Sequence, residues 1–180
     1  MTIQTPPTPK SATQLFRIEH LEIKRYLDQV ADMVEELHGS TQPDWRDVPT
    51  WRKRMEAVVK LLNDHVRTHS EWEEKALYPV VDRYAKSWLH PFTATMRFEH
   101  KIIARRIEGL AHEAAKPTPE VKRFARHADN LLGLIAAHFE VEEEVLLAIL
   151  DSAMTHEEFE QEVMNREGGT GEAGHHGPHR

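Results

Sequence analysis

Apolar residues recur at intervals of three and four along most of this chain, and nowhere do they alternate over a strand-length run. Glycine and proline cut that pattern into segments. Ser11 and Gln14 form a capping box after Pro9 and predict a helix running to His38, stopped by Gly39. After the loop GSTQPDWRDVP, Thr50 is expected to cap a second helix lasting to about Lys86, which Pro79 should kink or end. Pro91 opens a third helix, to about Lys116. Thr118, Pro119 and Glu120 supply an N-cap and a proline at N1 for a fourth, to about Ala153. Thr155 with Glu158 is a further capping box, for a short fifth helix to about Arg166. The pattern predicts an all-α fold, an up-down-up-down four-helix bundle over residues 11–153. The fifth helix, 155–166, is expected to pack on its outside, with disordered ends at 1–10 and 168–180.

Two stretches repeat. RIEHLEIKRYL (17–27) aligns with RFEHKIIARRI (97–107), so that Arg17/Arg97, Glu19/Glu99 and His20/His100 coincide. HSEWEEKAL (69–77) aligns with HFEVEEEVL (138–146), matching His69/His138, Glu73/Glu142 and Glu74/Glu143. Each half of the chain is thus a helix bearing Glu-His followed by a helix bearing His-x-x-x-Glu-Glu.

Helical periodicity puts His20 with Phe16, Ile23 and Leu27, and His69 with Leu62, Val66, Glu73 and Val80. His100 shares a face with Met96, Ile103 and Ile107, and His138 with Leu131, Ile135 and Glu142. All six residues fall on stripes that must face the core. Counting back to the connecting turns brings the two histidines of each hairpin to similar heights. Glu74 and Glu143 lie about 100° further round and read as flanking or solvated. His65 is a possible extra ligand or supporting group, while Trp72, Phe98 and Phe139 read as packing that could also wall a pocket.

Composition narrows the chemistry. With no cysteine, thiolate sites and disulfides are excluded, so any metal must be held by imidazole and carboxylate. A net charge of -7 with scattered basic residues argues against a nucleic-acid partner. No run approaches a membrane span or a signal h-region, which makes the cytoplasm the expected location. Three of the thirteen histidines fall in the Gly-rich end GGTGEAGHHGPHR, where no preorganised site is expected.

A single His-x-x-x-Glu pair is ordinarily a surface interaction worth about 0.2–0.5 kcal/mol. Two copies on apolar faces are different, because an ionised carboxylate in a core needs a counter-charge. Four imidazoles and two carboxylates in one core amount to a two-metal site. Mixed nitrogen and oxygen ligation suits iron, and manganese or zinc less specifically. The expected assignment gives one ion His20 and His69, the other His100 and His138. Glu73 and Glu142 bridge them, leaving room for an oxo or hydroxo group, water or dioxygen. Ferritin-like di-iron bundles need two Glu-x-x-His motifs in the core; the helical copy here, Glu35-x-x-His38, ends a helix. The near-symmetric ligand set argues against a zinc hydrolase.

With HxxxEE followed by Leu77-Tyr78-Pro79, an earlier Glu-His helix, and a second Glu-His with HFxxEE, residues 11–150 resemble the hemerythrin-like (HHE cation-binding) proteins. The resemblance implies a non-haem di-iron centre that reacts reversibly with dioxygen, or senses oxygen, nitric oxide or iron. The partner is then a small diatomic ligand or peroxide. Oxygen-carrying hemerythrins place a second histidine one turn after the third-helix histidine, where this chain has Ala104. They also space the fourth-helix carboxylate one residue further on, as an aspartate. The site is therefore expected to be more open than a carrier's. Sensing, or an enzyme acting on peroxide or nitric oxide, is favoured over stable oxygen storage.

Overall fold

The computed structural model describes residues 11–39, 47–84 and 90–167, and all of its regular structure is helical. The predicted disordered ends lie outside these residues. Helix α1 spans Gln14–His38. Helix α2 begins at Val48 and continues without a break to Tyr84, α3 spans His90–Ala114, and α4 runs from Val121 to Ala153. A short α5, His156–Glu162, follows.

Neighbours run antiparallel. His20 meets His69 and Tyr26 meets His65 across α1 and α2. Tyr78 meets His100, and Arg67 meets Glu108, across α2 and α3. His100 reaches His138, and Glu113 reaches the start of α4, across α3 and α4. Asp151 of α4 returns to Thr13, and Asp129 to His38, closing the ring on α1.

Helix ends depart from the expected caps. Ser11 and Thr13 spend their polar groups on Asp151 of α4, so the Ser11–Gln14 box does not form. Helix α2 starts earlier than expected, with Asp47 rather than Thr50 as its N-cap residue. At α4 the helix begins at Val121, and the Glu120 amide is satisfied by Glu113 of α3. At α1 and α4 a carboxylate from a packed neighbour outcompetes a local cap. The Thr155–Glu158 box does form.

Both long motif-bearing helices contain π-helical turns. Glu73–Leu77 and Glu142–Leu146 each close with an N–H five residues on, from Tyr78 to the Glu73 carbonyl and from Leu147 to the Glu142 carbonyl. A third such turn spans Leu62–Arg67. Pro79 therefore does not end α2. The turn just before it absorbs the irregularity, and helix resumes over Tyr78–Tyr84.

The core is divided. One apolar cluster, with Val34, Met55, Ile107, Phe124 and Leu131, fills the end where α1 turns to α2. The other gathers Phe16, Leu77, Val80, Met96, Leu146 and Leu150 at the opposite end. Phe159 and Val163, from α5 and the residue after it, are fully buried in that second cluster, so the fifth helix contributes to the core. Between the clusters lies a polar layer of His20, His69, Glu73, His100, His138 and Glu142, all buried.

Candidate metal centre

The six side chains meet in that layer because each sits on an apolar helical stripe at one height. His20 Nε2 lies 3.0 Å from His69 Nε2, and His100 Nε2 lies 2.9 Å from His138 Nε2. Glu73 stands between the pairs. Its Oε1 is 3.0 Å from His69 Nε2 and 3.7 Å from His20 Nε2, while Oε2 is 3.2 Å from His100 Nε2. Glu142 Oε2 is likewise 3.7 Å from His20 Nε2 and 3.5 Å from His138 Nε2.

The outward-facing ring nitrogens explain why the inward ones converge. Nδ1 of His20 donates to Glu143 at 3.0 Å, that of His69 to Glu19 at 3.4 Å, that of His100 to Glu74 at 3.1 Å and that of His138 to Glu99 at 2.8 Å. A carboxylate on Nδ1 fixes the tautomer and leaves Nε2 as a lone pair. The repeat carries this pattern. The glutamate of each Glu-His pair serves the histidine of the following helix. The second glutamate of each His-x-x-x-Glu-Glu serves the Glu-His histidine of the other half. Glu74 and Glu143 are therefore half-buried supports, not solvated flanks.

These atoms suit cations. Both oxygens of Glu73 and Oε2 of Glu142 are buried without a hydrogen-bond partner. Such oxygens are costly unless a positive charge faces them. Two nitrogens bound at about 2.1 Å to one ion, at right angles, lie about 3.0 Å apart, which matches both histidine pairs and an octahedral arrangement. Two overlapping groups could each hold an ion: His20, His69 and Glu73, and Glu73, His100, His138 and Glu142, with ligand atoms within 4.8 Å of one another in each. Glu73 belongs to both.

Without a cation, protons must do the compensating. Burial opposes charge on His69, but Glu73 and Glu19 overcome it and carry its pKa up to about 10. Burial would also raise Glu73, yet the charge on His69 and the ring nitrogens of His100 and His20 beside it hold it well below the usual carboxylate range. Glu142 is pushed well above that range by burial and by the charge on Glu73. The cluster thus shelters one carboxylate charge by itself, and a second needs an added positive ion. Burial lowers His138 against the pull of Glu99, which keeps that imidazole neutral and fit to ligate.

Tyr78, which the sequence offers only within the Leu77-Tyr78-Pro79 stretch, belongs to the site. Its hydroxyl donates to Glu142 Oε1 at 2.6 Å and lies 3.1 Å from His100 Nε2. Burial and the two core carboxylates raise its pKa, so it stays a neutral donor. The matching position in the second half is Leu147, so the repeat gave no signal for it, and the site is asymmetric there.

Other expectations resolve simply. His65 stacks on Tyr26 with ring centroids 3.5 Å apart, turned away from the cluster. Phe139 stacks on His20 at 4.4 Å, and Trp72 stacks on Phe16 beside His69. Phe98 is exposed and walls nothing. Two openings approach the layer. A groove of about 320 Å³ beside His69 is lined by Glu19, Glu22, Tyr26, His65 and Trp72. A smaller one, about 140 Å³, reaches His100 past Ala104.

Fold and site together define a helical bundle built around a buried cation-binding centre. The chain belongs to the hemerythrin family: the hemerythrin HHE cation-binding domain matches residues 11–150. No curated protein and no solved structure gives a match. Among the described residues no helix is long and apolar enough to cross a membrane.

Proposed function

We propose that the layer holds two iron ions and that the protein binds or senses a small ligand there, dioxygen or nitric oxide. His20 and His69 would hold one ion, His100 and His138 the other, with Glu73 and Glu142 between them. One observation carries this reading. Four histidines have Nδ1 tied to carboxylates and Nε2 turned inward, onto buried glutamate oxygens that have no hydrogen-bond partner. Iron bound there would supply exchangeable electrons and open coordination positions for the ligand.

The chain's own groups do the rest. The Nδ1 bonds orient the imidazoles. Phe16 and Phe139 pack on His20, and Trp72 stands beside His69 at the mouth of the groove there. The opening past Ala104 leaves a small ligand a way to His100. The test is an optical spectrum of the iron-loaded protein, reduced, then exposed to dioxygen or nitric oxide, then purged. A visible band that forms and reverses supports binding or sensing.

A second reading, an enzyme acting on peroxide or nitric oxide, is favoured by Tyr78. Its hydroxyl is a buried proton donor at Glu142 Oε1, and proton delivery is what reduction of a bound peroxide needs. Steady turnover of peroxide by the loaded protein, with no reversible band, would select this reading. Loss of that turnover in Tyr78→Phe, at unchanged iron content, would assign the proton to the phenol.

A further inference from the structure

In an ordinary α-helix the Glu74 carbonyl would accept from the Tyr78 N–H, and the Glu143 carbonyl from the Leu147 N–H. Both donors are diverted one residue back by the π-helical turns, to Glu73 and Glu142. Five residues after Glu74 stands Pro79, which has no N–H to give. A carbonyl left this way inside a packed bundle needs another donor.

Arginines of the neighbouring Glu-His helices provide one. Arg97 Nη1 donates to the Glu74 carbonyl at 3.1 Å, and Arg17 Nη2 donates to the Glu143 carbonyl at 3.2 Å. Each guanidinium is in turn held by an aspartate eight residues beyond the carbonyl it serves. Arg97 Nη2 is 3.4 Å from Asp82 Oδ2, and Arg17 Nη2 is 3.3 Å from Asp151 Oδ2. The other oxygen of each aspartate accepts from a threonine four residues before the arginine, Thr93 for Asp82 and Thr13 for Asp151. The repeat therefore extends beyond the six core residues. Thr-x-x-x-Arg-x-Glu-His occurs at 13–20 and 93–100, and His-x-x-x-Glu-Glu followed by aspartate eight residues on occurs at 69–82 and 138–151.

Stability alone does not account for this duplication, since partly exposed ion pairs contribute about 0–1 kcal/mol. Position does. The residue whose carbonyl each arginine holds is the one whose carboxylate sits on the imidazole. Glu74 bonds Nδ1 of His100, and Glu143 bonds Nδ1 of His20. We infer that Arg17 with Asp151, and Arg97 with Asp82, are positioning pairs for the metal centre. Each clamps one π-helical turn and so aims the carboxylate that orients one histidine. The inference rests on the two-ion reading above. It assigns Arg17 to the ion beside His20 and Arg97 to the ion beside His100.

The test loads the full chain with cobalt(II) and follows its release to excess chelator by absorbance, with melting of the metal-free protein measured in parallel. The variants are Arg17→Met, Arg97→Met, Arg17→Lys and Arg97→Lys. Arg83→Met serves as control, because it breaks an ion pair to Glu162 that touches neither motif. Each methionine variant should release one of two ions about tenfold faster or more. The cobalt spectrum should change for that ion, while the other ion leaves at the wild-type rate, even where metal-free melting falls because the carbonyl has lost its donor. The lysine variants, which keep the charge but not the two-directional donor, should fall between wild type and methionine. Should the methionine variants not fold, lysine variants that release faster than wild type uphold the inference, and equal rates overturn it. Methionine variants that release both ions at the wild-type rate overturn the positioning role and leave the metal centre standing. A wild-type chain that takes up no cobalt overturns the metal centre and this inference with it.

Discussion

At the scale of the residue, the centre works by assigning each nitrogen and oxygen one task. Glu142 illustrates it. Burial and the nearby Glu73 charge keep it protonated when no cation is present, and Tyr78 holds its other oxygen. A glutamine is nearly isosteric with a protonated glutamate. Glu142→Gln should therefore melt like wild type without metal, yet lose about tenfold or more in metal affinity. Melts with and without metal check both halves of that statement, and an equal loss in the metal-free state contradicts it. The six inward residues were legible in the sequence because an imidazole and a carboxylate one turn apart on an apolar stripe have few innocent uses. The partners of Nδ1 were half legible. Glu19, Glu74, Glu99 and Glu143 repeat in register, but periodicity places them off the core stripe, and what they touch depends on how neighbouring helices are rotated. Tyr78 stood in the sequence only as part of the Leu77-Tyr78-Pro79 stretch, with no role attached, since only one half carries it.

At the scale of the element, the π-helical turns were invisible, because an i to i+4 motif reads the same whichever carbonyl its amides choose. They recur at Glu142, where no proline follows, so Pro79 is not their cause. Pro79→Ala should keep the turn and the metal, and should raise the melting temperature by relieving a proline inside a helix, a placement that costs up to about 3 kcal/mol. Loss of metal in that variant would make Pro79 part of the turn's support. Helix starts were misjudged for a related reason: Asp151 and Glu113 reach across from neighbouring helices and displace the local caps. Asp151 also sets an acid limit. Burial would raise its pKa, but bonds from Ser11, Thr13 and Arg17 hold it below the usual value. A depressed folded-state pKa stabilises above the unfolded value of 3.8 and is lost as pH falls through the folded one. Asp151→Asn should thus be less stable at neutral pH, with the difference from wild type shrinking below about pH 4. Denaturant melts across that range measure it.

At the scale of the molecule, the two halves are mutually dependent. His20 is oriented by Glu143 of α4, and His100 by Glu74 of α2. Glu73 faces both histidine pairs. A fragment ending after α2 would keep His20, His69 and Glu73 but lose the support on His20 and half of both apolar clusters. It is expected neither to fold nor to retain metal alone, and circular dichroism with a metal-retention assay checks this. The bundle itself was legible from periodicity and punctuation. The division of its core by a polar layer followed from where the histidines fell. The burial of α5 against that core did not, because seven residues of helix give too little pattern to show which side they pack on.

Buried carboxylates and imidazoles arranged in this way should hold cations. The most direct test is iron per chain in protein loaded anaerobically and passed over a desalting column, wild type beside His69→Ala. Close to two ions per wild-type chain and a clear deficit in the variant are expected. Wild-type protein that emerges without iron, and melts no differently from His69→Ala, would contradict this.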